Sequence, residues 1–179
     1  MYRTSSLLLI YLTIVLLTGC SEPSQVEILD HVNASGTITD EQAESLGKDI
    51  SLLLNGLTSI TDEQAESLSE VGHLELDGLT SITDKQVESL SKAEFLNLNG
   101  LTSITDQQAE SLSKVRSLGL GGLTSITNGQ AESLSKNKIQ LILTGLSSIT
   151  NEQAESLSKV GLLLISKSCQ ELVDKYKDQ

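Results

Sequence analysis

Apolar residues return along this chain with two alternating spacings, which together close a unit of about 22 residues. Across one unit and into the next the order is Val71-x-x-Leu74-x-Leu76-x-x-Leu79-x-x-Ile82. The Leu-x-Leu step is the period-two signature of a strand with one face inward and one outward. It recurs as Leu96-Asn97-Leu98, Leu118-Gly119-Leu120 and Leu141-Ile142-Leu143. Ahead of each strand, Ala65, Leu68 and Val71 step by three, which marks one buried side of a helix of about two to three turns. Units begin at Gly36, Gly56, Gly78, Gly100, Gly122 and Gly145. A period in this range points to a solenoid, in which each unit buries its apolar face only against its neighbours.

The polar positions repeat as faithfully. Thr39/Gln42, Thr61/Gln64, Thr83/Gln86, Thr105/Gln108, Thr127/Gln130 and Thr150/Gln153 each have the spacing of a capping box, which satisfies two orphan N–H groups at a helix start. An isoleucine precedes each threonine (Ile38, Ile60, Ile82, Ile104, Ile126, Ile149), placed to staple onto the apolar residue of the first turn. Acidic residues gather at the start of each helix and lysines near its end, complementing the helix dipole. The glutamate column Glu44, Glu66, Glu88, Glu110, Glu132 and Glu155 is followed four residues on by Lys48, Lys92, Lys114, Lys136 and Lys159 in five of the six units. That spacing predicts intrahelical ion pairs rather than a cation-binding ridge. The glycine after each strand suits either a positive φ or a close approach of two backbones.

Strand, turn and helix within 22 residues resemble the leucine-rich repeat. The nearest variety is the cysteine-containing subtype, whose strand is followed by a segment ending in Ile-Thr-Asp; that triplet stands here at Ile60-Thr61-Asp62, Ile82-Thr83-Asp84 and Ile104-Thr105-Asp106. Leu57, Leu79, Leu101, Leu123 and Leu146 replace the subtype's cysteine. The resemblance covers residues 36–166 and implies an α/β solenoid of six repeats. Parallel strands would line the concave side and short helices the convex side, and proteins would bind on the strand face. A β-helix of similar period is the rival architecture, but it needs no six capping boxes in register. At the far end Cys169, Leu172, Val173 and Tyr176 fall at i, i+3, i+4 and i+7, so residues 167–179 predict a capping helix. At the near end Val26, Ile28, Leu29 and Val32 are apolar enough to cover the first repeat, and residues 20–35 read as a tether and cap.

Residues 1–19 have a different character. Arg3 opens them, an apolar run over residues 7–17 follows, and Leu17-Thr18-Gly19-Cys20 closes them. The run is shorter than the ~20 residues of a membrane span and reads as a secretory signal peptide. Leu-Thr-Gly-Cys resembles the lipobox of bacterial lipoproteins, which implies cleavage before Cys20 and acylation of its thiol. Ser21 after that cysteine implies the outer membrane or cell surface rather than the inner membrane. The expected location is therefore the bacterial envelope, with the membrane contacted through the lipid anchor.

Charge narrows the partners. After loss of residues 1–19 the chain carries eleven basic and twenty-four acidic residues, a net −13. Such a surface repels nucleic acid and anionic headgroups, so no nucleic-acid partner is expected. With Cys20 acylated, Cys169 is the one remaining thiol and is expected to pack as a small hydrophobe. His31 and His73 are isolated, and no Cys/His cluster, catalytic set or phosphate loop is present at the required spacings. The sequence thus predicts neither enzyme nor metal nor cofactor. Asn33-Ala34-Ser35 matches a glycosylation pattern that is idle in a bacterial lipoprotein.

What remains is the outward strand row, which varies between units whose other positions are nearly identical. Its richest part is His73, Glu75, Asp77, Phe95, Asn97 and Asn99, the candidate surface for a protein partner in the envelope or at the cell surface. The expected function is a lipid-anchored, non-catalytic protein- or ligand-binding module. The alternative is a structural or spacer lipoprotein with no dedicated ligand.

Overall fold

The computed structural model describes residues 24–137 and 139–177. The signal-peptide reading of residues 1–19 and the acylation site Cys20 lie outside them. The chain is an α/β solenoid. Helix α1 (Gln25–Ser35) leads into α2 (Asp40–Leu46) and β1 (Ser51–Leu53). Strand and helix then alternate through α3 (Asp62–Ser67), β2 (His73–Glu75), α4 (Asp84–Leu90), β3 (Phe95–Asn97), α5 (Asp106–Leu112) and β4 (Ser117–Gly119). The last elements are α6 (Asn128–Leu134), β5 (Gln140–Leu143), α7 (Asn151–Leu157), β6 (Leu162–Ile165) and α8 (Lys167–Lys177). The six strands form one parallel sheet in chain order, and the helices stack on its other side.

The register is set by the central leucines: Leu52, Leu74, Leu96, Leu118, Leu141 and Leu163 pair in a continuous row, all buried. Strands β2, β3 and β4 are each centred one residue earlier than their Leu-x-Leu triplets suggest, because the inward leucine occupies the middle of the ladder with an outward residue on either side, whereas β5 contains its whole triplet. The second leucine takes the last ladder bond, as where the Leu76 N–H donates to the Asn97 carbonyl at 2.9 Å, and then turns into the core. The core is one cluster running the length of the stack between sheet and helices.

All six Thr/Gln capping boxes are formed, and a seventh, Ser24/Glu27, starts α1. The glutamines do more than cap. Gln108 Oε1 accepts from the Thr105 N–H at 2.9 Å, while its Nε2 donates at 2.9 Å to the Ile82 carbonyl of the preceding unit. Gln64, Gln86, Gln130 and Gln153 bond Ile38, Ile60, Ile104 and Ile126 in the same way. The amides form a buried ladder that ties helix start to helix start.

Two sequence expectations about charge are corrected. The Glu–Lys pairs do not close along the helices, because each helix is only six or seven residues long and the lysine falls beyond its last residue. The lysines are consequently also absent from the last turns, where they would have faced the helix dipole. The ion pairs instead cross between units: Lys92 to Glu66 at 2.8 Å, Lys85 to Asp62 at 3.3 Å and Arg116 to Glu94 at 3.4 Å. The Lys92 ammonium, with the Ser89 hydroxyl, holds the Glu66 carboxyl below its ordinary pKa.

The repeated glycines need no positive φ; Gly36, at the end of α1, is the one described glycine with φ in that region, 73°. They permit close approach: a Cβ on Gly100 would lie 2.2 Å from the Asp77 carbonyl oxygen and 2.5 Å from that of Leu79. Residues from Gln25 onward are helix rather than tether. Ile28 and Val32 are buried against the first repeat and Leu29 partly so, whereas Val26 points to solvent. At the other end α8 buries Cys169 and Val173 and packs Leu172 and Tyr176 against the core, the cap its spacing predicts.

Candidate functional site

The outward faces of β2 and β3 bring part of the candidate patch together. In-register pairing sets His73 beside Phe95 and Glu75 beside Asn97. The rings of His73 and Phe95 are tilted at 48° with centroids 5.9 Å apart. His73 Nε2 lies 3.3 Å from Glu75 Oε1, and Glu75 Oε2 accepts from the Asn55 amide at 2.9 Å. Phe95 is 45% exposed, one of few large apolar groups left in water. The arrangement is a small apolar ring edge backed by an oriented carboxylate.

Asp77 and Asn99 have other work. Asn55 Oδ1 accepts from the Asp77 N–H at 3.1 Å, Asp77 Oδ1 from the Asn99 N–H at 3.0 Å, and Asn99 Oδ1 from the Gly121 N–H at 2.7 Å. Asn99 also donates its amide to Asp77 Oδ2. Asn33 begins this side-chain ladder, accepting from the Gly56 N–H at 2.8 Å and donating to the Leu53 carbonyl at 3.0 Å. The glycosylation triplet is thus a structural cap on β1. The series Asn55, Asp77, Asn99 supplies a short side-chain acceptor to the next unit's N–H at each step, and it ends at Gly121, which has no side chain.

Asn97 is the opposite case. Among the described residues its side chain makes no hydrogen bond, and its Oδ1 lies over the space that a Cβ on Gly119 would enter, 2.3 Å from that position. The candidate surface therefore contracts to His73, Glu75, Phe95 and Asn97. Apart from Glu75 and Asp77, the outward strand residues carry no acid and no Lys or Arg, so the sheet face is nearly neutral on a strongly acidic protein.

A residue the repeat pattern missed is Asn137. It is 1% exposed, at the position held by Val71, Ala93, Val115 and Val160 in other units. Its amide donates to the Val115 carbonyl and accepts from the Ile139 N–H at 3.2 Å. The unit from Gly122 to Gly145 is one residue longer than its neighbours, and Asn137 bonds the preceding unit and the Ile139 N–H within the lengthened segment. The length change was the signal.

A depression of about 690 Å³ lies not on the sheet but on the helix side, lined by charged groups including Glu88, Glu110, Lys114, Glu132 and Lys136. Among the described residues no three His, Cys, Asp or Glu side chains are gathered to hold a metal ion. No described helix is long and apolar enough to cross a membrane. The chain matches no protein-family model and no curated protein.

Proposed function

We propose that this chain is a lipid-anchored leucine-rich-repeat protein of the bacterial envelope that binds a protein or other ligand without catalysing a reaction. The observation that carries the binding reading is the exposed Phe95 ring beside His73 and Glu75 on a nearly neutral face. Everything around that cluster repeats and serves the scaffold, while the cluster does not repeat. The anchor reading rests on the Leu-Thr-Gly-Cys sequence ending at Cys20. Acyl chains there, each gaining ~0.8 kcal/mol per buried methylene, would hold the solenoid at a bilayer.

Two experiments test the two halves separately. Cys20→Ser should move the protein out of the membrane fraction and abolish acyl labelling; unchanged retention would refute the anchor. His73→Ala and Phe95→Ala should each abolish capture of an envelope partner in a pull-down, with the fold unchanged by circular dichroism. A second reading, a spacer without a ligand, is favoured by the use of Asp77 and Asn99 in the inter-unit ladder. It would be supported if the intact protein retained no partner after washing.

A further inference from the structure

The two edges of the sheet are finished differently. At β1, α1 packs Ile28 and Val32 onto the first repeat and Asn33 bonds the Leu53 carbonyl, so a strand has no access there. At β6, α8 stacks on α7 and extends the helix layer, and β6 is paired with β5 alone. In the ladder between β2 and β3, the Gly72 carbonyl accepts from the Phe95 N–H and the Leu76 N–H donates to the Asn97 carbonyl, both at 2.9 Å. The corresponding groups of β6, the Gly161 carbonyl, the Leu163 N–H and carbonyl, and the Ile165 N–H, point away from β5.

This edge is also apolar on the exposed sheet face: Leu162 is 50% exposed and Leu164 42%. An uncovered apolar edge strand is a template for another strand.

Charge selects the occupant. Residues 24–94 carry fifteen acidic and three basic side chains, whereas residues 95–179 carry eight of each. The solenoid has an acidic end, closed by α1, and a neutral end, open at β6. A second copy approaching β6 with its own neutral end meets no repulsion, and both acidic ends are kept far apart. A copy approaching with its β1 end brings a covered edge and the full acidic charge, so open-ended filaments do not form.

We propose that β6 pairs antiparallel with β6 of a second copy, making a closed two-fold dimer with a continuous twelve-stranded sheet. Because Leu163 N–H and C=O both point outward, the two-fold axis falls between Leu163 and its counterpart, which exchange two hydrogen bonds. The Ile165 N–H of each copy donates to the Gly161 carbonyl of the other. Leu162 then lies opposite Leu164 of the second copy in the non-hydrogen-bonded pair, Cα atoms ~4.5 Å apart, and the exposed leucines cover one another.

Sedimentation of the full chain, expressed with its own leader and held in a mild detergent, tests this. The wild type should be a dimer, and Leu164→Lys should weaken association by about tenfold or more while leaving the circular dichroism unchanged. Mixed Leu162→Cys and Leu164→Cys proteins should form an inter-copy disulfide on oxidation, the spacing being within disulfide range, while neither variant alone does so. A wild-type monomer at the highest soluble concentration would overturn the proposal. So would a dimer that survives Leu164→Lys, or cross-links formed equally by Leu164→Cys alone.

Discussion

Replacement of Gln108 by alanine probes the glutamine ladder where it is complete on both sides. The side chain is 6% exposed and makes two bonds of 2.9 Å, accepting from Thr105 and donating to Ile82 of the preceding unit. Its loss leaves one N–H and one carbonyl without a partner in a largely buried place, at about 1–3 kcal/mol each. The helix start lies near the surface and water relieves part of this, so the expected loss is about 2–4 kcal/mol, or about 5–15 °C in Tm. Gln42 is the internal control. It caps α2 through the Thr39 N–H at 3.0 Å but has no preceding repeat to bond, so Gln42→Ala should cost only about 0.5–1 kcal/mol. Gln108→Glu sharpens the contrast. A buried carboxylate can accept from Thr105 but cannot donate to Ile82, and burial raises its folded pKa above the unfolded value. Its stability is therefore present at low pH, where the protonated acid donates as the amide did, and is lost as pH rises through the folded pKa. The chain has no tryptophan, so urea unfolding followed by far-ultraviolet circular dichroism is the assay. A loss below about 1 kcal/mol for Gln108→Ala, or equal losses at Gln42 and Gln108, would refute the ladder as an energetic link.

Gly100→Ala should destabilise by more than about 2 kcal/mol in the same assay, because its Cβ would overlap two carbonyl oxygens that cannot withdraw without disturbing the ladder. Gly129→Ala, helical and with nothing nearer than 3.8 Å, should instead stabilise by about 0.5–1 kcal/mol. Asn99→Ala should cost about 1–3 kcal/mol by removing the acceptor for Gly121, whereas Asn97→Ala, with no bond to lose, should leave unfolding within about 0.5 kcal/mol of wild type. Since Lys92 and Ser89 hold Glu66 below its usual pKa, its contribution is present above the unfolded value and fades as pH falls through the folded one. An acid titration of stability should accordingly be slightly shallower in Glu66→Gln than in wild type.

Much of the fold was legible because the unit is written six times. A single Leu-x-Leu triplet is ambiguous, but four of them in register with repeated Thr/Gln pairs define strand, turn and helix. What escaped was whatever depends on the neighbouring unit. The spacing of Glu88 and Lys92 fits an intrahelical pair, yet Lys92 lies past the helix end and reaches Glu66 instead. The glutamines read as caps from their spacing, and their second bond, 26 or 27 residues away, leaves no mark within the unit. The outward strand positions all vary from unit to unit in sequence, and only packing separates Asp77 and Asn99, bound into the scaffold, from Phe95 and Asn97, which are not.

The central claim is that recognition resides in the outward residues of β2 and β3 while the repeated residues build. The most direct measurement compares affinity capture from an envelope extract by three baits: wild type, His73→Ser with Phe95→Ser, and Lys114→Ala with Lys136→Ala on the helix side. A partner retained by the wild type and by the helix-side variant but lost from the sheet-face variant is the predicted result. Identical captures by all three baits, or a partner lost only with the helix-side changes, would contradict it.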